Sequence, residues 1–180
     1  MKNKLHIGIV IAFFVAITSV SASASTKVTT PDWVLQNKKI TPGVLNKDVT
    51  QENIATTVCK SGWTATIRPT VTYTNKLKEE QLKTTYLSYT KIWGTEMSAY
   101  EEDHLISLQL GGDPKDPKNL FPQPYAGNNA RKKDVVETAL KRLVCSGTIK
   151  LKDAQKAILN WPVAYKKYVT SADKPDTSDN

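Results

Sequence analysis

The sequence predicts an α+β fold: a small strand, loop, strand, helix unit wrapped by additional α-helices and tied by one disulfide. Three observations carry this expectation. His104 to Leu110 alternates apolar with polar residues and is stopped by Gly111-Gly112-Asp113-Pro114, which reads as a strand, and Asn119 to Pro122 offers a second short one. Apolar residues recur at helical spacing after Asn129 and on both sides of that unit. Two cysteines, Cys59 and Cys145, stand in a chain that begins like an exported one, where an even pair most simply closes a disulfide.

The start has the form of a leader. Lys2 and Lys4 precede an apolar run from Leu5 to Val20, and Ala22-Ser23-Ala24 supplies the small residues a signal peptidase needs, so cleavage is expected after Ala24, with Ala22 as the fallback. The run is short for a bilayer core and no basic stop-transfer cluster follows, so no lasting membrane association is expected after cleavage. The destination is the periplasm or the medium. Residues 25–40 are rich in Ser, Thr and Lys, with Trp33 and Val34 as the few apolar anchors, and read as a flexible arm.

A single domain over 41–169 follows. Thr41-Pro42-Gly43 is a turn, and Asp48 or Thr50 caps a short helix over Gln51 to Val58 that delivers Cys59. β-Branched residues between Gly62 and Tyr73, broken by Pro69, suggest an extended segment around Ala65 to Arg68. Asn75 to Tyr86 is helix-prone, with Leu77, Leu82 and Tyr86 as its buried side. In the predicted strand from His104, Ile106, Leu108 and Leu110 share a face. Ala126-Gly127-Asn128-Asn129 turns the chain, and either asparagine caps a helix from Ala130 to Val144 carrying Val136, Ala139 or Leu140, and Leu143 at helical spacing. Helices over Lys152 to Asn160 and Pro162 to Tyr168 complete the domain, Pro162 suiting a first-turn position, and a polar tail begins at 170.

Composition narrows the partners. The chain carries 25 basic and 17 acidic residues, a formal charge of +8 that stays positive when Lys2 and Lys4 leave, which favours polyanions such as nucleic acid. Neither cysteine has a second cysteine or a histidine nearby, so a thiolate metal site is a poor rival to the disulfide. Closing so long a loop stabilises by roughly 4 kcal/mol in the chain-entropy model. His104 is the only histidine outside the leader, and it lies in Tyr100-Glu101-Glu102-Asp103-His104-Leu105-Ile106. An imidazole can take a proton from water near neutral pH while a neighbouring carboxylate holds a cation.

The series Asp103-His104, Gly111-Gly112, Asn119-Leu120, then Asn128 or Asn129 opening a helix, resembles the HNH (ββα-metal, His-Me finger) nuclease motif in its variant with asparagine as last ligand. The likeness covers about 101–140, and the flanks resemble small exported bacterial proteins that carry the motif. It implies a divalent-metal-dependent endonuclease, monomeric, acting on DNA more than RNA with little sequence preference. His104 would be the general base and Asn119 would orient it by a hydrogen bond to its backbone or ring. Asp103 and Asn128, with Asn129 as the alternative, would hold one divalent ion. Two oxygen ligands favour a hard ion, most simply Mg²⁺. Arg131, Lys132, Lys133, Lys115 and Lys118 would meet phosphates as point charges.

The chain departs from the common pattern in two ways. The last motif histidine is absent, which weakens any case for Zn²⁺, and the paired CxxC knuckles of many relatives are missing. Two other readings stand beside the nuclease. One is an inactive nucleic-acid or polyanion-binding module on the same fold. The other is a glycan hydrolase using two of Glu101, Glu102 and Asp103, which is disfavoured because adjacent carboxylates rarely face each other across a bond.

Overall fold

The computed structural model describes residues 33–174. The leader, the first part of the arm and the end of the tail lie outside the described residues. Among these, six helices surround a two-stranded antiparallel sheet, an α+β arrangement. None of the described helices is long and apolar enough to cross a membrane.

Trp33 to Gln36, placed by the sequence in the flexible arm, is packed. Val34 and Gln36 are buried, and Trp33 stacks on Trp161 and Tyr165 with ring centroids 5.1 and 5.4 Å away. The helix expected over 51–58 is instead a run of turns. Asn53 explains this: its side chain accepts from Thr50 N and donates to Asp48 O, while the Thr56 and Thr57 hydroxyls both compete for its carbonyl. Such local side-chain bonds offer the backbone an alternative to the helical ladder.

α1 (Trp63–Ile67) replaces the extended segment, and only Arg68 is extended, as the residue before Pro69 is biased to be. α2 (Val71–Lys83) starts four residues earlier than its apolar pattern suggests, because Thr70 caps it by accepting from Tyr73 N. Leu82 and Tyr86 are buried as expected, and Lys78 and Gln81 are buried beside them. α3 (Leu87–Trp93) was not foreseen.

β1 (Tyr100–His104) pairs antiparallel with β2 (Leu120–Pro124), Tyr100 opposite Pro124 and His104 opposite Leu120. The first strand therefore ends where the sequence reading began it. Leu105, Ile106, Leu108 and Leu110 are all buried, but in a loop with a short 3-10 turn at Leu108–Leu110, so their apolar character reports core packing and not a pleat. The true strand is polar, Tyr-Glu-Glu-Asp-His, because it lines a cleft. Gly112 closes the loop so tightly that a Cβ there would lie 1.7 Å from the carbonyl oxygen of Ile106. Only glycine fits this approach.

α4 (Asn129–Cys145) packs on the hairpin through its first two turns, and α5 (Leu151–Ile158) and α6 (Trp161–Tyr168) close over its far side. Val136, Leu140, Val144, Ile158 and Trp161 form the main core, and Tyr86, Leu105 and Phe121 form a smaller one behind the sheet. The disulfide joins Cys59 to Cys145, at the end of α4, with Cα atoms 5.5 Å apart.

Candidate active site

His104 is the last residue of β1, and strand alternation sends it and Asp103 to opposite sides. The ring of His104, with Glu102 two residues before it, lines a cleft of about 310 Å³ between β1 and the α1–α2 corner, together with Arg68 and Lys78. Asp103 faces α4.

Three layers of contact fix the imidazole. Asn119, fully buried, accepts from Ile106 N at 3.0 Å and donates to Ile106 O at 3.0 Å and Asp113 O at 2.9 Å, so one amide pins both ends of the loop after β1. Its own carbonyl accepts from Leu105 N at 2.7 Å. That loop delivers the carbonyl of Pro114 to His104 Nε2 at 3.0 Å. A carbonyl can only accept, so Nε2 carries the proton and Nδ1 keeps the lone pair. Asn119 thus acts on His104 through the loop and not through a bond to its backbone or ring.

The ring is neutral at physiological pH. Burial pushes its pKa down to about 4 against the partial restoring effect of the Pro114 carbonyl, and the charges of Lys133 and Arg68 depress it further. Glu102 moves oppositely, up to about 9, through burial first and the neighbouring Asp103 second, with Lys78 opposing. Both Glu102 oxygens are buried and accept no hydrogen bond.

On the α4 side the geometry differs from what the motif implies. Lys133 is completely buried and its ammonium lies 2.7 Å from Asp103 Oδ2, 2.5 Å from Glu137 Oε1 and 2.8 Å from His104 O. Glu137 also accepts from the Ser107 hydroxyl at 2.6 Å, which links α4 to the same loop. Burial alone would lower the Lys133 pKa, but two carboxylates overcome it and raise it. Burial raises that of Asp103, with Lys133 opposing; one ammonium cannot fully satisfy two acids. Asn129, fully buried, accepts from Val34 N at 2.7 Å and donates to Ala126 O at 2.6 Å, so its amide is spent inside the fold. Asn128 forms the 3-10 turn before α4, and its side chain lies outside the described atoms.

A divalent ion between Asp103 and Asn129 does not fit these donors as arranged, because an ammonium already sits on the carboxylate and the amide has other partners. Glu101 Oε2, two residues before Asp103 on β1, faces Arg131 at 3.8 Å. Among the described residues no cluster of three or more His, Cys, Asp or Glu side chains comes together as a metal site.

The basic residues expected to meet phosphate divide in the same way. Lys133 presents no charge to solvent. Arg131 pairs with Asp134 at 3.2 Å and lies over Tyr125, and Lys132 lies over the Trp33 ring at 4.6 Å. Lys115 and Lys118 are exposed on the loop. Arg68 and Lys78, to which no sequence motif points, are the cations that line the cleft with His104. The only sequence signal for Arg68 was its place before Pro69, and Lys78 looked like one more solvent-facing lysine in a polar helix. Comparison with family models, with curated proteins and with solved structures gives no match for this chain.

Proposed function

We propose that this protein is an exported nuclease of the HNH (ββα) type that hydrolyses phosphodiester bonds of nucleic acid, with His104 as general base. The observation that carries this reading is a buried, neutral imidazole whose Nε2–H is tied to a backbone carbonyl, at the end of β1, in a cleft bearing Arg68 and Lys78. The order of strand, loop pinned by Asn119, strand and helix supports it.

In this reading Nδ1 of His104 takes the proton from the water that attacks phosphorus. The bond from phosphorus to the leaving sugar oxygen breaks, that alkoxide takes a proton from solvent, and His104 later returns its proton to water. A positioned base contributes on the order of 10² to 10⁴ in rate. The imidazolium that forms is disfavoured by burial, and the negative charge growing on the phosphoryl oxygens beside it offsets that cost. Pro114 O holds the ring in one tautomer throughout, and Asn119 is a positioning residue. Lys133 supplies a fixed positive charge behind the strand, on the carboxylate that the motif assigns to Mg²⁺.

A binding module without turnover is the second reading, favoured by that same Lys133 contact with Asp103. Plasmid DNA and RNA incubated with the oxidised protein, in Mg²⁺ and in chelator, separate the two. Cleavage that falls by at least about 10²-fold in His104→Ala supports the nuclease. No cleavage of either substrate under either condition, or cleavage indifferent to His104→Ala, overturns it.

A further inference from the structure

We propose that Arg68 and Lys78 form a clamp for a phosphate of a nucleic-acid strand, so that the strand enters the cleft from the α1–α2 side of His104 and not across the lysines of α4. The inference rests on the nuclease reading of the same site and names how that site takes its substrate.

The state of the two cations argues for it. Arg131 and Arg142 both pair with carboxylates, whereas Arg68 makes no ion pair among the described residues. Its guanidinium is exposed at the rim, close enough to His104 for its charge to be felt by the ring. Lys78 is more unusual. It is only 8 % exposed, donates to Tyr100 O at 2.9 Å, and has no carboxylate within ion-pair distance among the described residues. An ammonium has three donors, and one carbonyl uses one of them. A buried ammonium with no ion-pair partner is costly unless something of opposite sign completes it; Glu102 acts on Lys78 only beyond ion-pair distance, and Lys78 lines the cleft.

Two acids, Glu101 and Glu102, line the same cleft, but neither is within ion-pair distance of Arg68 or Lys78, and Glu101 faces Arg131 instead. A phosphodiester has the missing properties: one negative charge, and oxygens that accept from a guanidinium fork on one side and an ammonium on the other. The cleft of about 310 Å³ has room for one phosphate and an adjoining sugar. A phosphate held there lies beside His104, on the same side of β1.

Anisotropy of a fluorescein-labelled single-stranded DNA oligonucleotide, titrated with the disulfide-intact protein in chelator over a range of salt, tests the clamp without requiring hydrolysis. Arg68→Gln should weaken binding about tenfold at low salt and flatten the log–log salt dependence by roughly 0.7. Arg68→Lys should restore part of it. Lys78→Gln should act in the same direction. Because Lys78 is buried its variant is read only if its Tm shows a folded protein, and Arg68 otherwise carries the test. The double variant Lys115→Gln/Lys118→Gln, which removes more charge from the exposed loop, should lose less than about threefold.

Binding by Arg68→Gln within about twofold of the unaltered protein overturns the clamp. So does an equal loss in the loop double variant, or no binding by the unaltered protein even at low salt. The two proposals fail separately. Arg68-dependent binding with no cleavage leaves the clamp and removes the nuclease, and His104-dependent cleavage with binding indifferent to Arg68 does the reverse.

Discussion

Replacing Asn119 by alanine removes the amide that holds the loop between the strands. It makes three short hydrogen bonds, to Ile106 N, Ile106 O and Asp113 O, and a longer one of 3.4 Å to Val44 N. At about 1 kcal/mol net for each short bond, and more where a buried partner is left with none, Asn119→Ala should cost about 3 kcal/mol. Asn119→Asp separates bonding from volume: the shape is kept, but an acceptor replaces the NH₂ that faces two carbonyl oxygens, so the loss should be at least as large. Urea denaturation at neutral pH measures both. Where the folded form persists, Pro114 O should no longer fix the His104 ring, and the proposed nuclease activity should fall further than the folded fraction does. A loss below about 1 kcal/mol in both variants would refute the view that this amide organises the site.

Acid provides a second check. With its folded pKa near 4 and an unfolded value near 6.5, His104 binds its proton more weakly in the folded protein, so its contribution to stability is complete above pH 6.5 and is lost as pH falls toward 4. The total is on the order of 3 kcal/mol. NMR titration of the imidazole should give a midpoint near 4, and a midpoint at or above 6.5 would contradict the buried placement. Reduction of Cys59–Cys145, which spans 86 residues, should lower stability by about 4 to 5 kcal/mol in the chain-entropy model; a urea midpoint unmoved by reductant would refute this.

The parts of the fold that read well from sequence were those where local pattern and tertiary role coincide. α4, α5 and α6 keep apolar residues on the face that meets the core, and β2 is a short apolar run bounded by turn residues, so each is found within a few residues of its expected place. β1 was displaced because burial and pleat come apart there: the strand is acidic, while the apolar run after it is a loop folded inward. α1 departs from the extended segment its β-branched residues suggest because such residues favour strands only when another strand lies beside them, and none does. His104, Asn119 and the disulfide were legible. The engagement of Lys133 with Asp103 was not, although the two residues are complementary in charge, because thirty positions separate them and no local rule sends a lysine of a helix's first turns inward. Arg68 and Lys78 are hidden for a related reason, since neither has an ion-pair partner among the described residues that could have marked it in the sequence.

The segment at Trp33–Val34 has a mechanical consequence. Val34 N–H is held by Asn129 at the first residue of α4, and Val34 O accepts from Trp161 Nε1 at 3.1 Å at the first residue of α6. Trp33–Val34 thus ties the beginnings of two helices together, one of them a single turn from Lys133. A label meant to leave these two helix starts undisturbed therefore belongs at the other terminus.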